Sequence, residues 1–105
     1  MNSRNVTLKL KASTAPEFAR LIEHEITPIL RKQKGFRDEI VFVAPERSEA
    51  LAISLWDTKE DSDNYTRTGY PEVLKALSNV IEGTPKVETF DVGFTTLHKV
   101  AGQGR

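Results

Sequence analysis

The most constraining feature of this sequence is a junction at which a strand-like run ends and a helix-start signal follows at once. The run from Leu51 to Trp56 is short and mostly apolar, and Asp57 and Thr58 behind it are residues that cap helix N-termini. Trp56 is the only tryptophan of the chain. Strand-to-helix junctions often border ligand pockets, where a large amphipathic ring can wall a cavity or fill the core. The run therefore predicts a strand that brings Trp56 to the start of a helix.

Two elements are predicted near the N-terminus. The run from Val6 to Lys11 alternates apolar and polar residues, which predicts a strand with one buried face. Ser13 or Thr14 then offers an N-cap oxygen for a helix. Pro28 predicts a kink in this helix, and Gly35 predicts its C-cap. The apolar residues that define the helix recur at helical spacing: Phe18, Leu21, Ile22, Ile26, Ile29 and Leu30.

The remainder of the chain predicts a hairpin, a second helical region and a last strand. The segments from Phe36 to Ala44 and from Ala50 to Trp56 read as two strands joined by a polar turn. The second helical region starts after Asp57 or Thr58, is interrupted at Gly69-Tyr70-Pro71 and ends at Gly83-Thr84-Pro85. Its apolar stripe is Val73, Leu74, Leu77, Val80 and Ile81. The last strand is predicted from Val87 to His98, with Phe90, Val92 and Phe94 on one face.

The order strand, helix, strand, strand, helix, strand predicts a ferredoxin-like α+β fold. In that fold a four-stranded antiparallel sheet carries both helices on one face. The second sheet face is then uncovered, and another copy of the same sheet is the simplest cover. We therefore expect one domain over residues 1–105, with 101–105 as a frayed tail, and a homodimer formed through the sheet faces.

Composition excludes several classes of function. Lysine plus arginine equals aspartate plus glutamate, 15 each, so no basic excess favours nucleic acid or a membrane surface as partner. The absence of cysteine excludes disulfides, thiolate metal sites and cysteine nucleophiles. Two separated histidines give no metal-ligand spacing, so we expect no metal. No apolar run reaches the ~20 residues of a membrane span, and no signal core follows Met1, so the expected location is the cytoplasm.

The element order resembles the antibiotic biosynthesis monooxygenase-like family. The resemblance rests on Gly35-Phe36 at the start of the second strand, on Leu55-Trp56-Asp57 at the end of the third, and on Glu60-Asp61 and Tyr65 before the second helix. It covers the chain from about Val6 to Val100. The resemblance implies a dimeric α+β barrel, in which two ferredoxin-like sheets pack face to face. It also implies cofactor-free oxygenation of an aromatic or quinol-like molecule.

One branch of the same family degrades haem, with an asparagine on the first strand, a tryptophan ending the third and a histidine on the second helix. Asn5 and Trp56 stand at plausible positions for the first two. No histidine occurs from Ser62 to Ile81, so the haem ligand is missing. We therefore expect no cofactor.

Cofactor-free oxygenation requires a protein that excludes water, holds an aromatic ring and stabilises a developing oxyanion. Trp56 and Asn5 are candidate catalytic residues, and His98 is the candidate general base because its ordinary pKa lies nearest neutrality. The substrate-binding candidates are Tyr65, Tyr70, Arg67 and Asp91. Asp91 and Thr89 alternate with Phe90, so they are expected on the face that meets the second sheet.

Each candidate has a structural alternative. Trp56 can pack under the second helix, Tyr65 and Tyr70 can cover a helix end, and His98 can lie at a surface or dimer edge. Asn5 can simply start a strand. Arg67 and His24 fit a solvated helix face. The corresponding alternative for the whole chain is a non-catalytic module that binds a small apolar molecule or only dimerises.

Overall fold

The computed structural model describes residues 1–97. His98 and the predicted tail at 101–105 lie outside this range, and the last strand can be compared with the prediction only as far as Leu97. The described part contains four strands and two helical regions in the predicted order. These are β1 (Asn2–Leu10), α1 (Ala15–Leu21), a π-helical turn (Ile22–Ile26), α2 (Thr27–Arg31), β2 (Phe36–Ala44), a 3-10 turn (Pro45–Arg47), β3 (Glu49–Trp56), α3 (Lys59–Thr68), α4 (Tyr70–Leu77) and β4 (Ile81–Asp91).

The four strands form one antiparallel sheet in the order β2-β3-β1-β4, which confirms the ferredoxin-like prediction. Asn2 pairs with Trp56 on one side of β1 and with Asp91 on the other. Directly opposed residues of antiparallel strands point to the same face, so these registers define which side chains share a face. No helix in the described range is long and apolar enough to cross a membrane.

The core lies between one face of the sheet and the helices. Every second residue of β1 from Asn2 to Leu10 is buried, which sets the helix-covered face. Burying this apolar set is the main favourable term for the fold. The buried apolar cluster consists of Val6, Leu8, Leu10, Phe18, Ile26, Leu30, Ala50, Trp56, Tyr65, Val73, Leu77 and Val80.

The first helical region contains the irregularity predicted at Pro28, in the form of a π-helical turn that immediately precedes it. Pro28 has no N–H for the α-helical bond to His24, and the backbone N–H of Thr27 bonds the Ile22 carbonyl five residues back. The predicted side-chain N-cap of this region is wrong, and so is the predicted C-cap at Gly35, because α2 ends at Arg31 with Lys32 as its C-cap. The Thr14 hydroxyl instead lies 2.7 Å from the Lys11 carbonyl oxygen, so it ties the turn to β1.

The second helical region begins as predicted, because Thr58 caps α3 by accepting the Asp61 N–H at 3.0 Å. It ends earlier than predicted, at Leu77, and Val80 and Ile81 belong to the turn and to β4. The predicted break at 83–85 lies inside β4, where the pairing with β1 shifts register between Thr7 and Lys9. A positive-φ glycine and a proline fit there because β4 is an edge strand and a bulge needs such residues.

The last strand also differs from the prediction, because it ends at Asp91 and its two faces are reversed. Phe90 pairs with Ser3 on the uncovered face, whereas Asp91 pairs with Asn2 on the helix-covered face. The prediction placed Asp91 and Thr89 on the inter-sheet face because Phe90 was assumed to point into the core. That assumption fails because the uncovered face is itself partly apolar. Its large exposed residues include Ile40, Phe42 and Phe90.

Candidate functional site

A cavity of about 50 Å³ lies between the helix-covered sheet face and the helices. One water needs about 10–15 Å³ of such space, so the cavity has room for roughly three to five waters. The pockets that hold drug-sized ligands are larger, at about 300–1,000 Å³. Most of the lining is aliphatic, from the π-helical turn, α2, α4 and the sheet. Its polar or aromatic lining residues are Arg4, Glu39, Ser54, Tyr65 and Tyr70.

Three of these residues form a row across the floor of the cavity. Ser54 on β3 pairs with Glu39 on β2 and with Arg4 on β1, so the three side chains start from adjacent positions on the helix-covered face. Thr89 on β4 continues the row beyond Arg4. Polar residues stand in this row, whereas other inward positions of β1 and β3 are buried and apolar, such as Val6 and Ala50. Polar residues at such positions need partners.

Arg4 is the charged residue of the floor, and it is 2% exposed. Its Nε donates to the Thr66 hydroxyl at 3.1 Å, and its Cζ lies 4.1 Å from the ring centroid of Tyr70 and 5.2 Å from that of Tyr65. Cation–π contacts of this kind offset part of the cost of burying the charge. Within residues 1–97, no carboxylate lies within 4.0 Å of the guanidinium, and Nη2 is buried without a hydrogen-bond partner.

Trp56 lies behind the cavity and does not line it. The indole is fully buried, stacks on Tyr65 with centroids 5.0 Å apart, and meets the edge of Phe36 at 5.6 Å. Its Nε1 donates to the Ser54 hydroxyl oxygen at 2.8 Å. Trp56 therefore contacts two residues that line the cavity, the ring of Tyr65 and the hydroxyl of Ser54, but not the cavity itself.

The two tyrosines keep their protons at neutral pH. Burial raises the pKa of Tyr65 well above its usual range, and the nearby charge of Arg4 lowers it by less. Burial likewise raises the pKa of Tyr70, again against the charge of Arg4. Both phenols are thus hydrogen-bond donors, and neither is suited to act as a base at neutral pH.

The structure brings together three of the predicted site residues, namely Trp56, Tyr65 and Tyr70, whose rings form one continuous array. Asn5 does not join them. It pairs with Ile53 on the uncovered face, and its Oδ1 accepts a hydrogen bond from the Ser3 hydroxyl. In a single chain the sheet therefore separates Asn5 from the cavity.

The remaining predicted residues lie apart from the cavity or outside the described range. Asp91 is exposed at the end of β4, and Arg67 is exposed on α3, where its Nη2 is 3.5 Å from the Asn64 side-chain oxygen. Neither lines the cavity. His98 is outside the described residues. His24 is exposed on the π-helical turn, as the solvated-face alternative predicts.

The sequence interpretation missed Arg4, Ser54 and Glu39. The signal for Arg4 was present, since Asn2 and Arg4 continue the inward phase of Val6, Leu8 and Leu10. Because the predicted strand began at Val6, the alternation of inward and outward residues was not extended to Asn2 and Arg4. An arginine in the buried phase of a strand marks a site that needs an explanation.

Among residues 1–97, no group of three or more histidines and acids is placed to hold a metal ion.

No family model matches the sequence, and no curated protein is detectably similar to it. Solved structures do match. A protein from Deinococcus radiodurans, whose description proposes an antibiotic biosynthesis monooxygenase, is 21% identical with a TM-score of 0.70, and the match covers 90% of this chain and 95% of that one.

Two further similar structures come from Streptomyces. The cofactor-independent oxygenase SnoaB from Streptomyces nogalater is 14% identical with a TM-score of 0.70, and the match covers 90% of this chain and 94% of that one. The ActVA-Orf6 monooxygenase from Streptomyces coelicolor, solved with nanaomycin D, is 15% identical with a TM-score of 0.73, with 90% and 88% covered. These similarities extend over nearly all of the described residues. The chain has the fold of the antibiotic biosynthesis monooxygenases.

Proposed function

We propose that this protein is a cofactor-independent monooxygenase that oxidises a small phenol or quinol. The observation that carries the proposal is the mostly aliphatic cavity whose polar lining is Arg4, Ser54, Glu39 and two neutral tyrosines. The fold shared with a cofactor-independent oxygenase supports it. Because fold alone does not determine function, the proposal depends on this cavity.

The reaction needs no group beyond the substrate and O₂. A phenol loses its proton, the anion passes an electron to O₂, and the two radicals combine at a ring carbon. Loss of water then gives a quinone, so one oxygen atom enters the ring and the other leaves as water. The substrate supplies all four electrons. The protein contributes a mostly apolar space and polar groups that stabilise charge where it develops.

Each cavity residue has a role in this proposal. Glu39 is the carboxylate that lines the cavity, and the Thr27 hydroxyl donates to its Oε2, so Glu39 is a candidate acceptor for a substrate proton at the end of the cavity away from Arg4. Tyr65 and Tyr70 hold the ring. Trp56 acts through Ser54 and Tyr65. The catalytic role predicted for Asn5 and the substrate contacts predicted for Arg67 and Asp91 stay predictions that the cavity does not support. The role predicted for His98 stays a prediction, because His98 lies outside the described residues.

The small volume of the cavity favours a second candidate, a non-catalytic module that binds a small apolar molecule or only dimerises. About 50 Å³ is less than the roughly 150 Å³ of a cavity that holds benzene, so even a one-ring molecule can enter only if the helices move. Tyr70 directly follows the break at Gly69 and is partly exposed, so it is the lining residue best placed to open such a path. The two candidates make different predictions for oxygen consumption.

The test is oxygen uptake by the chelator-treated protein with one-ring hydroquinones. We expect uptake above that of heat-inactivated protein, and one atom from ¹⁸O₂ in the quinone product. Ala52→Val, which fills part of the cavity, should slow the reaction, whereas Ala12→Val at an exposed turn position should not. Binding of the hydroquinone without uptake above the inactivated control would select the non-catalytic module.

We also propose that two copies pair through their uncovered sheet faces in the cytoplasm. Ile40, Phe42 and Phe90 on this face are between 38% and 54% exposed, which is typical of a surface that a partner covers. Asn5 lies on the same face, so a dimer would place it at the interface.

A further inference from the structure

The orphaned guanidinium nitrogen of Arg4 is the observation that reaches furthest beyond the proposed activity. Buried polar atoms are almost always hydrogen-bonded, and a buried charge normally has a counter-charge. Arg4 is 2% exposed, has no carboxylate within 4.0 Å among residues 1–97, and lines the cavity. A water molecule could satisfy Nη2 as a donor, but it would not balance the charge.

Ser54 provides a second donor beside Arg4. Its oxygen accepts the indole N–H of Trp56, which leaves its own hydroxyl proton for another acceptor. No residue between 1 and 97 accepts that proton. Because Ser54 and Arg4 are directly paired across β3 and β1, their Cα atoms are about 4.5–5.5 Å apart. Arg4 Nη2 and the Ser54 hydroxyl are therefore two donors without acceptors, and they belong to neighbouring residues in the same wall of the cavity.

Glu39 limits the charge of what can bind. It lies on the far side of Ser54, two strands from Arg4 and roughly 10 Å away between Cα atoms. A dianion would be repelled at that end, whereas a single negative charge placed at Arg4 would not approach it closely. The aliphatic and aromatic remainder of the lining fits an apolar ring.

We infer that the cavity, opened by movement of Tyr70, binds its ligand as a one-ring phenolate monoanion, with the charged oxygen held by Arg4 Nη2 and the Ser54 hydroxyl. This inference rests on the proposed function and names the ionisation state of its substrate. Trp56 is then a positioning residue, because its N–H directs the Ser54 hydroxyl away from the indole and towards the ligand. The site would lower the pKa of a bound phenol, since both donors favour the charged form.

The probe is 4-nitrophenol, whose phenolate absorbs visible light and which air does not oxidise. We expect the folded protein to bind it with the phenolate absorbance retained to lower pH than in buffer. Arg4→Met, with a long apolar side chain, should weaken phenolate binding by about tenfold to hundredfold, because one charge-assisted hydrogen bond is lost. Arg31→Met, a matched change at an exposed arginine of α2 that does not line the cavity, should leave binding unchanged.

Ser54→Ala keeps the inference testable where Arg4→Met does not fold. It should weaken phenolate binding several-fold and reduce the shift in the titration of the bound probe. Unchanged phenolate binding by a folded Arg4→Met or Ser54→Ala protein, or no binding of the probe by the parent protein, would overturn the inference. Phenolate binding through Arg4 with no oxygen uptake from any hydroquinone would retain the anion site and reject the oxygenase.

Discussion

At the scale of single residues, the lone tryptophan serves two purposes that the sequence presents as alternatives. It fills the core under α3, and its N–H also fixes a hydroxyl that lines the cavity. A side chain can therefore act on a ligand site without touching the ligand. The two purposes can be separated, since packing depends on the ring and orientation depends on the N–H.

Trp56→Phe tests this separation. We expect the free energy of unfolding to fall by about 1–3 kcal/mol, because the variant loses buried area and a buried hydrogen bond. Urea unfolding followed by circular dichroism measures this, since the only tryptophan is removed. Phe36→Leu is the control, because it reduces packing on the same indole and keeps the Ser54 bond. If both variants weaken 4-nitrophenol binding equally, Trp56 has only a packing role.

The buried phenol of Tyr65 predicts a pH dependence of stability. Its folded-state pKa is raised above the ordinary 10.0, chiefly by burial. Above pH 10 the unfolded chain releases this proton first, so the free energy of unfolding should fall with rising pH. The decrease is at most about 1.4 kcal/mol per pH unit for one group. The contribution is complete below pH 10 and disappears as the pH rises through the folded-state pKa.

Tyr65→Phe should remove this part of the slope. The measurement is urea unfolding between pH 8 and 11 for the parent protein and for Tyr65→Phe, compared as a difference so that other titrations cancel. Equal slopes for the two proteins would mean that the Tyr65 phenol ionises in the folded state as it does in the unfolded state.

At the scale of elements, the turn before β2 depends on a glycine that meets α3. Gly35 has φ of +81°, and a Cβ there would clash with the Asp61 side chain in the first turn of α3. Its carbonyl also accepts the Asp57 N–H at 2.8 Å. This one position therefore joins the end of the first helical region to the β3–α3 junction.

Gly35→Ala and Gly83→Ala form a matched pair. Both positions have positive φ, but a Cβ at Gly83 meets nothing within 4 Å. Gly83→Ala should cost about 1–2 kcal/mol of stability from backbone strain alone. Gly35→Ala should cost more, because Asp61 must also move. Thermal unfolding of the two variants decides this, and a smaller loss for Gly35→Ala would show that α3 adjusts freely.

Elements whose signals are local could be predicted from the sequence. The span of β2 was predicted as observed, and Thr58 caps α3 because a hydroxyl precedes a polar helix start. Signals that depend on tertiary context failed. β4 starts at Ile81 because pairing with β1 outweighs the helical spacing of Val80 and Ile81. For the same reason Arg4 was missed, since its importance appears only once Ser54 and Tyr70 are placed beside it.

At the scale of the whole molecule, the uncovered sheet face divides into two halves. The half formed by β2 and β3 is mostly apolar, with Phe42 54% exposed opposite Leu51, and with Ile53 and Leu55 further along β3. The half formed by β1 and β4 carries Ser3, Asn5 and Thr7, and Phe90 is its large apolar residue. Burying exposed aromatic area contributes roughly 25 cal/mol per Å², so the apolar half gives a strong reason for a second copy to cover it.

Phe42→Glu should convert the proposed dimer into a monomer, because a charge would be buried against an apolar partner surface. Size-exclusion chromatography with light scattering measures the mass. Val43→Glu is the control, since Val43 neighbours Phe42 on β2, is also exposed, and pairs with Ala50 on the opposite face. It should leave the mass at twice that of the chain. A parent protein with the mass of one chain, or a dimer that survives Phe42→Glu, would require another cover for this face.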